Sequence, residues 1–163
     1  MPVIEKKNIT TDKTYENVEP MWTAAFTATG TDAADKAREY LLNWAYTEDL
    51  FNDNSSHRIF AYYNSERIGY EDFFFTMNIT VDKDYKTKDP NIKLGEFKGG
   101  YYAVTKSKFK YNGWSWGQFI KWVAKSKEYD FGDYWFFEEY IIKKPHIDME
   151  TDMILYMPVK LKE

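Results

Sequence analysis

With 163 residues, 20% of them aromatic, no cysteine and a formal net charge of −4, the chain can bury a substantial core as one domain and needs no disulfide to hold it. The lack of Cys excludes thiolate metal sites, and two histidines, His57 and His146, argue against a His-based one, so no metal or cofactor is expected. The acidic balance has the wrong sign for neutralising phosphates, which argues against direct nucleic-acid binding.

Residues 1–14 read as a polar tail without an apolar run of signal-peptide length. No segment approaches the roughly 20 apolar residues that span a bilayer, so the expectation is a cytoplasmic protein with no membrane contact. Sequons begin at Asn8, Asn54 and Asn78; without a secretion signal they read as chance.

Residues 21–29, MWTAAFTAT, read as a strand ended by Gly30. Ala37, Leu41, Trp44 and Ala45 then recur at helical spacing, with Thr31 or Asp32 as N-cap. RIFAYYN and DFFFTMNITV follow as two aromatic and β-branched strands separated by a turn at Gly69. The charged stretch DKDYKTKDPNIKLGEF, with Pro90 and Gly95, reads as a connector.

The same order then restarts. GGYYAVTKSKF reads as a strand, and SWGQFIKWVAKS as a helix whose Ser115 and Gln118 form a capping box, with Phe119, Trp122 and Val123 on one face. YWFFEEYII and DMILYMPVK close the pattern as strands. Sliding the chain against itself by about 78 residues pairs Ala25 with Ala103, Leu41 with Phe119, Trp44 with Trp122, Tyr62 with Tyr140 and Val81 with Val159. Trp44 and Trp122 sit on the apolar stripes of their helices, where packing onto a sheet is their expected role. Asp148, Glu150 and Asp152 lack the Gly and terminal Glu of an EF-hand and read as a solvated turn.

The expected fold is therefore α+β: two pseudo-repeated strand-helix-strand-strand units, about 15–84 and 97–163, in a single domain from residue 15 to 163. They form one antiparallel sheet with helices on one face and a ligand groove on the other.

Four segments carry a resemblance. Gly99, Gly100, Tyr101, Tyr102, Ala103 and Val104 match a Gly-Gly-x-Tyr-Ala-Val segment; Phe137, Glu138, Glu139 and Tyr140 match a Phe-Glu-x-Tyr strand; Asp152 to Lys160 match an acidic residue followed by an Ile-Tyr-x-Pro-Val type strand; and Phe60, Ala61, Tyr62, Tyr63 and Asn64 match an aromatic strand of the first half. In order and spacing the chain resembles the stand-alone effector-binding domains of the gyrase-inhibitor-like (GyrI-like) class, which also form the drug-sensing half of some bacterial transcription regulators of the AraC and MerR types. It departs from the family in continuing Ser65, Glu66, Arg67 where a Pro often stands, and in Glu139, where an apolar residue is usual.

The resemblance puts the family's groove glutamate at Glu138. Strand alternation places it on one face with Tyr134, Phe136 and Tyr140, and Glu139 on the helix-facing side. A carboxylate ringed by aromatic faces attracts a cation that can also lie against the rings, each contact contributing roughly 0.5–2 kcal/mol. The expected ligand-binding residues are Glu138, Tyr140, Phe136, Tyr62, Tyr102, Phe74 and Trp22, with no metal.

Three functions follow. The first is an effector-binding domain that captures lipophilic, cationic small molecules as a sensor, sequestering protein or transcription-related regulator, with a DNA-binding regulator or gyrase as a protein partner. The second is a hydrolase of reactive small molecules, some family members having that activity, with Glu138 as general base or electrostatic stabiliser. No Ser-His-Asp pattern, phosphate loop or metal cluster supports a conventional hydrolase. The third is a groove that takes a protein segment.

Overall fold

A computed structural model describes residues 13–52, 56–64 and 72–163. The sequons at Asn8 and Asn54, the turn at Gly69 and the Ser65–Arg67 departure lie outside these residues. The fold is α+β with antiparallel strands, and the chain divides into two compact units, each carrying one α-helix among the described residues.

The first unit comprises Pro20–Lys98 with Ile142–His146. It holds β2 (Met21–Thr29), α1 (Ala33–Thr47), β3 (Ile59–Tyr63), β4 (Phe74–Thr80) and β5 (Lys93–Phe97). Strand β2 lies between β4 and β5, and β3 pairs with the far side of β4. Helix α1 covers β2 and β4. It buries Ala37, Leu41, Leu42, Trp44 and Ala45, the stripe its 3.6-residue periodicity calls for. Asp32 occupies the N-cap position but makes no side-chain capping bond.

The second unit joins residues 13–19 with Gly99–Ile141 and Ile147–Glu163. It holds β1 (Thr14–Val18), β6 (Gly100–Lys108), α2 (Asn112–Ala124), β7 (Tyr129–Phe131), β8 (Phe137–Ile141) and β9 (Asp152–Leu161). Strand β9 is central, pairing with β6 on one side and with β8 and β7; β1 pairs with the outer side of β6. No helix among the described residues is long and apolar enough to cross a membrane.

Three local expectations need correction. The stretch read as a connector contains β5, an edge strand whose Lys93 and Glu96 are exposed while Ile92 and Phe97 are buried. Its charges decorate an unpaired edge, a usual place for them. Helix α2 begins at Asn112, three residues before the expected capping box, with Tyr111 at the N-cap and no side-chain cap. Ser115 lies inside it, fully buried, and accepts a 2.6 Å hydrogen bond from Ser107 of β6. The run YWFFEEYII pairs as a strand only from Phe137 to Ile141.

The double glycine before β6 has a steric cause. Gly99 has φ +73°, and a Cβ there would stand 2.1 Å from the Val18 carbonyl oxygen. Gly100, at φ +146°, lies under the Tyr134 ring, where a Cβ would come within 2.3 Å. Only a residue without Cβ lets β1 and the segment ahead of β8 close on β6 here.

Candidate ligand-binding site

The register of the second unit fixes which side chains share a face. Pairing sets Glu138 opposite Leu155 and Thr105 opposite the same Leu155, so Thr105, Leu155 and Glu138 form one row across three strands. Ser107 lies on that face and bonds to Ser115 of α2, which identifies it as the helix-facing side.

Glu138 is therefore between sheet and helix, with 0% exposure. Its Oε1 accepts hydrogen bonds from Asn112 Nδ2 (3.3 Å) and Trp116 Nε1 (3.1 Å), both carried by α2. Its Oε2 accepts from the Tyr140 hydroxyl two residues along the strand. Phe136 meets the Trp116 ring edge-on at 5.2 Å. The carboxylate thus loses water but is compensated by neutral donors set among aromatic rings.

Of the expected site residues, Glu138, Tyr140 and Phe136 come together here. Tyr102 does not: with Phe137 and Tyr156 it forms a ring cluster on the opposite face, its hydroxyl donating to the Trp135 carbonyl at 2.8 Å. Burial holds its hydroxyl well above the usual tyrosine range, with Tyr134 adding to the effect. Glu139 also points to that face, where its Oε1 accepts from Tyr156 at 2.8 Å. The expectation that Glu138 faces away from the helix and Glu139 toward it is thus reversed. Alternation correctly groups residues 136, 138 and 140, but which group meets α2 is decided by pairing with β9, a non-local fact. Tyr134 precedes the strand and lies beside Tyr102 instead.

Tyr62, Phe74 and Trp22 belong to the first unit. Tyr62 packs against Phe97 at 5.8 Å, and burial raises its pKa while a bond to Thr76 opposes the shift. Register places Tyr62, Phe74 and Thr76 on the face away from α1, and Trp22 alternates with Ala24 and Phe26 on the other. A small cavity of about 150 Å³ lies beside Tyr62, Thr23, Asn78 and Phe97.

A cavity of about 630 Å³ opens alongside α1, lined by Phe26, Tyr40, Trp44 and Asp89 among others. Its main polar groups serve structure: Tyr40 donates to Asp89 at 2.6 Å, and Trp44 to Thr87 at 3.2 Å. Glu138 remains the stronger candidate because a fully buried carboxylate demands an explanation that an open groove does not. The acidic turn at Asp148, Glu150 and Asp152 is tied by lysines, with Lys110 on Glu150 and Lys108 on Asp152. Asn112 and Trp116 were not singled out by sequence reasoning; Trp116, three residues before Phe119 on the helix, is the signal that was available.

No family model matches the sequence, and no curated protein matches it. Solved structures do. The C-terminal domain of EcmrR superposes with a TM-score of 0.69 at 13% identity, covering 91% of this chain and 97% of that one. The chain spans 62% of the EcmrR chain in its DNA complex. A hydrolase from Listeria innocua gives a TM-score of 0.61 at 13% identity over 96% and 97%. SAV2435 bound to tetraphenylphosphonium gives 0.56 at 13% over 92% and 94%. At these identities the likeness is one of fold, the gyrase-inhibitor-like fold to which the four sequence segments pointed.

Proposed function

We propose that the chain is an effector-binding domain for lipophilic cations, with Glu138 as the anchoring charge. The observation that carries this reading is the fully buried Glu138 carboxylate, held by Asn112, Trp116 and Tyr140 among aromatic rings. A cation that joins these neutral donors on the carboxylate's remaining acceptor sites gains a charged partner in a low-dielectric layer and ring faces to lie against. SAV2435, of the same fold, is bound to such a cation. In EcmrR the fold is part of a longer chain that binds DNA; for this chain we extend only the sensing role, with output through a DNA-binding regulator or gyrase as partner.

Because Glu138 is closed to solvent, entry requires the start of α2 to move. That stretch is weak: it carries Gly113 and Gly117, and a Cβ at either would meet nothing within 4 Å beyond its chain neighbours and the helix's own backbone. Each glycine costs about 1 kcal/mol of helix stability relative to alanine. The double variant Gly113→Ala, Gly117→Ala is expected to stabilise the protein by about 1–2 kcal/mol and to slow cation association. Thermal unfolding and stopped-flow tryptophan fluorescence measure the two effects.

The reading itself is tested by titrating wild type with tetraphenylphosphonium and with neutral triphenylphosphine oxide, by calorimetry. Saturable binding of the cation and at least about tenfold weaker binding of the neutral compound are expected. Equal binding of both, or of neither, refutes the role given to Glu138.

A second reading, hydrolysis, is favoured by the Tyr140 hydroxyl on Glu138 and by the fold shared with a Listeria hydrolase. Turnover of a strained electrophile by wild type, lost in Glu138→Gln, distinguishes it from simple capture.

A further inference from the structure

The layer between α2 and the sheet holds two polar atoms whose bonding is unmet. Asn112 Oδ1 is buried and has no hydrogen-bond partner among the described residues. Its orientation is fixed, because Nδ2 donates to Glu138 Oε1 and an amide flip would press Oδ1 against the carboxylate instead. Thr105 Oγ1 is the other; the residue is 1% exposed and its hydroxyl has no partner among the described residues. It stands on the same face as Glu138, two strands away through Leu155, about 10 Å at ordinary strand spacing.

A buried acceptor left without a donor is unfavourable, so a ligand that supplies the donor gains more than one that does not. A quaternary phosphonium or ammonium ion carries charge without N–H groups: it answers Glu138 and leaves Asn112 Oδ1 unmet. A protonated amine, amidinium or guanidinium presents parallel N–H groups that reach a carboxylate and a neighbouring amide oxygen together. From this we infer that the site selects cations bearing N–H donors, with Asn112 as the residue that reads them. The inference rests on the cation-binding reading and narrows its ligand class. The Thr105 hydroxyl adds a place for a polar substituent farther along the same ligand.

Two probes with one biphenyl body and one positive charge test it: 4-phenylbenzamidinium and 4-phenyl-N,N,N-trimethylanilinium, titrated by calorimetry against wild type, Asn112→Leu, Asn112→Ser and Glu138→Gln. Wild type should prefer the amidinium by about tenfold. Both Asn112 variants should abolish that preference while still binding the trimethylanilinium, and the serine variant serves if leucine disturbs α2. Glu138→Gln should weaken both probes. Equal affinity of wild type for the two, with Glu138→Gln still weakening both, overturns the selectivity and assigns Asn112 Oδ1 to a bound water. Indifference of both probes to Glu138→Gln removes the cation site itself.

Discussion

Glu138→Gln should lose cation affinity by a factor of about 10 to 150 while leaving the fold within about 1 kcal/mol of wild type. The affinity estimate is the 1.5–3 kcal/mol that a charged hydrogen-bond partner typically contributes. The small stability change follows from geometry. Asn112 and Trp116 both donate to Oε1, and the glutamine carbonyl can take that position. The amide nitrogen then replaces Oε2, and the Tyr140 hydroxyl has only to rotate to accept from it. Glu139→Gln keeps the acceptor that Tyr156 uses on the other face, so it should change neither quantity appreciably. Calorimetric titration with tetraphenylphosphonium and urea unfolding of the same three proteins give both numbers. If both variants lose binding equally, or if Glu138→Gln unfolds the protein, the carboxylate is structural.

Gly99→Ala should destabilise the protein by about 3 kcal/mol or more. The left-handed backbone at φ +73° costs a non-glycine residue roughly 1–2 kcal/mol. The greater part comes from the Cβ, which would stand 2.1 Å from the Val18 carbonyl oxygen. That oxygen is backbone and cannot swing aside, so β1 must withdraw from β6. Hydrogen exchange should therefore show Thr14–Val18 losing protection before the rest of the unit. Gly95→Ala is the control: nothing lies within 4 Å of its Cβ position, and its cost should stay within the fraction of a kcal/mol usual for a surface change. A Gly99→Ala protein as stable as that control would disprove the steric account.

Much of the fold was legible because it is written locally. The stripe Ala37, Leu41, Trp44, Ala45 declares α1, and the matching Phe119, Trp122, Val123 declares α2. Edges were less legible. β5 hides among charges because an edge strand needs only Ile92 and Phe97 as buried anchors. The start of α2 was placed at Ser115 since Ser-x-x-Gln imitates a capping box; the serine is instead consumed by Ser107 across a buried contact that no local pattern announces. The site shows the same division. Alternation grouped Glu138 with Phe136 and Tyr140, whereas the helix residues that hold the carboxylate, Asn112 and Trp116, come from a separate element and are joined to it only by packing. Tyr102 matched by motif, yet its parity in β6 sends it to the other face.

The pairing of β1 with β6 also bears on how the chain acquires its structure during synthesis. Val18 aligns with Gly100, and every residue of the first unit's main segment, Pro20–Lys98, is made between them. A ribosome therefore releases β1 long before its partner strand exists, while α1 and strands β2 to β5 already have one another to fold with. Closing so long a loop is slow compared with local pairing. The early strand must remain unpaired through that interval, so residues 14–18 gain protection only after the first unit's strands have had time to pair.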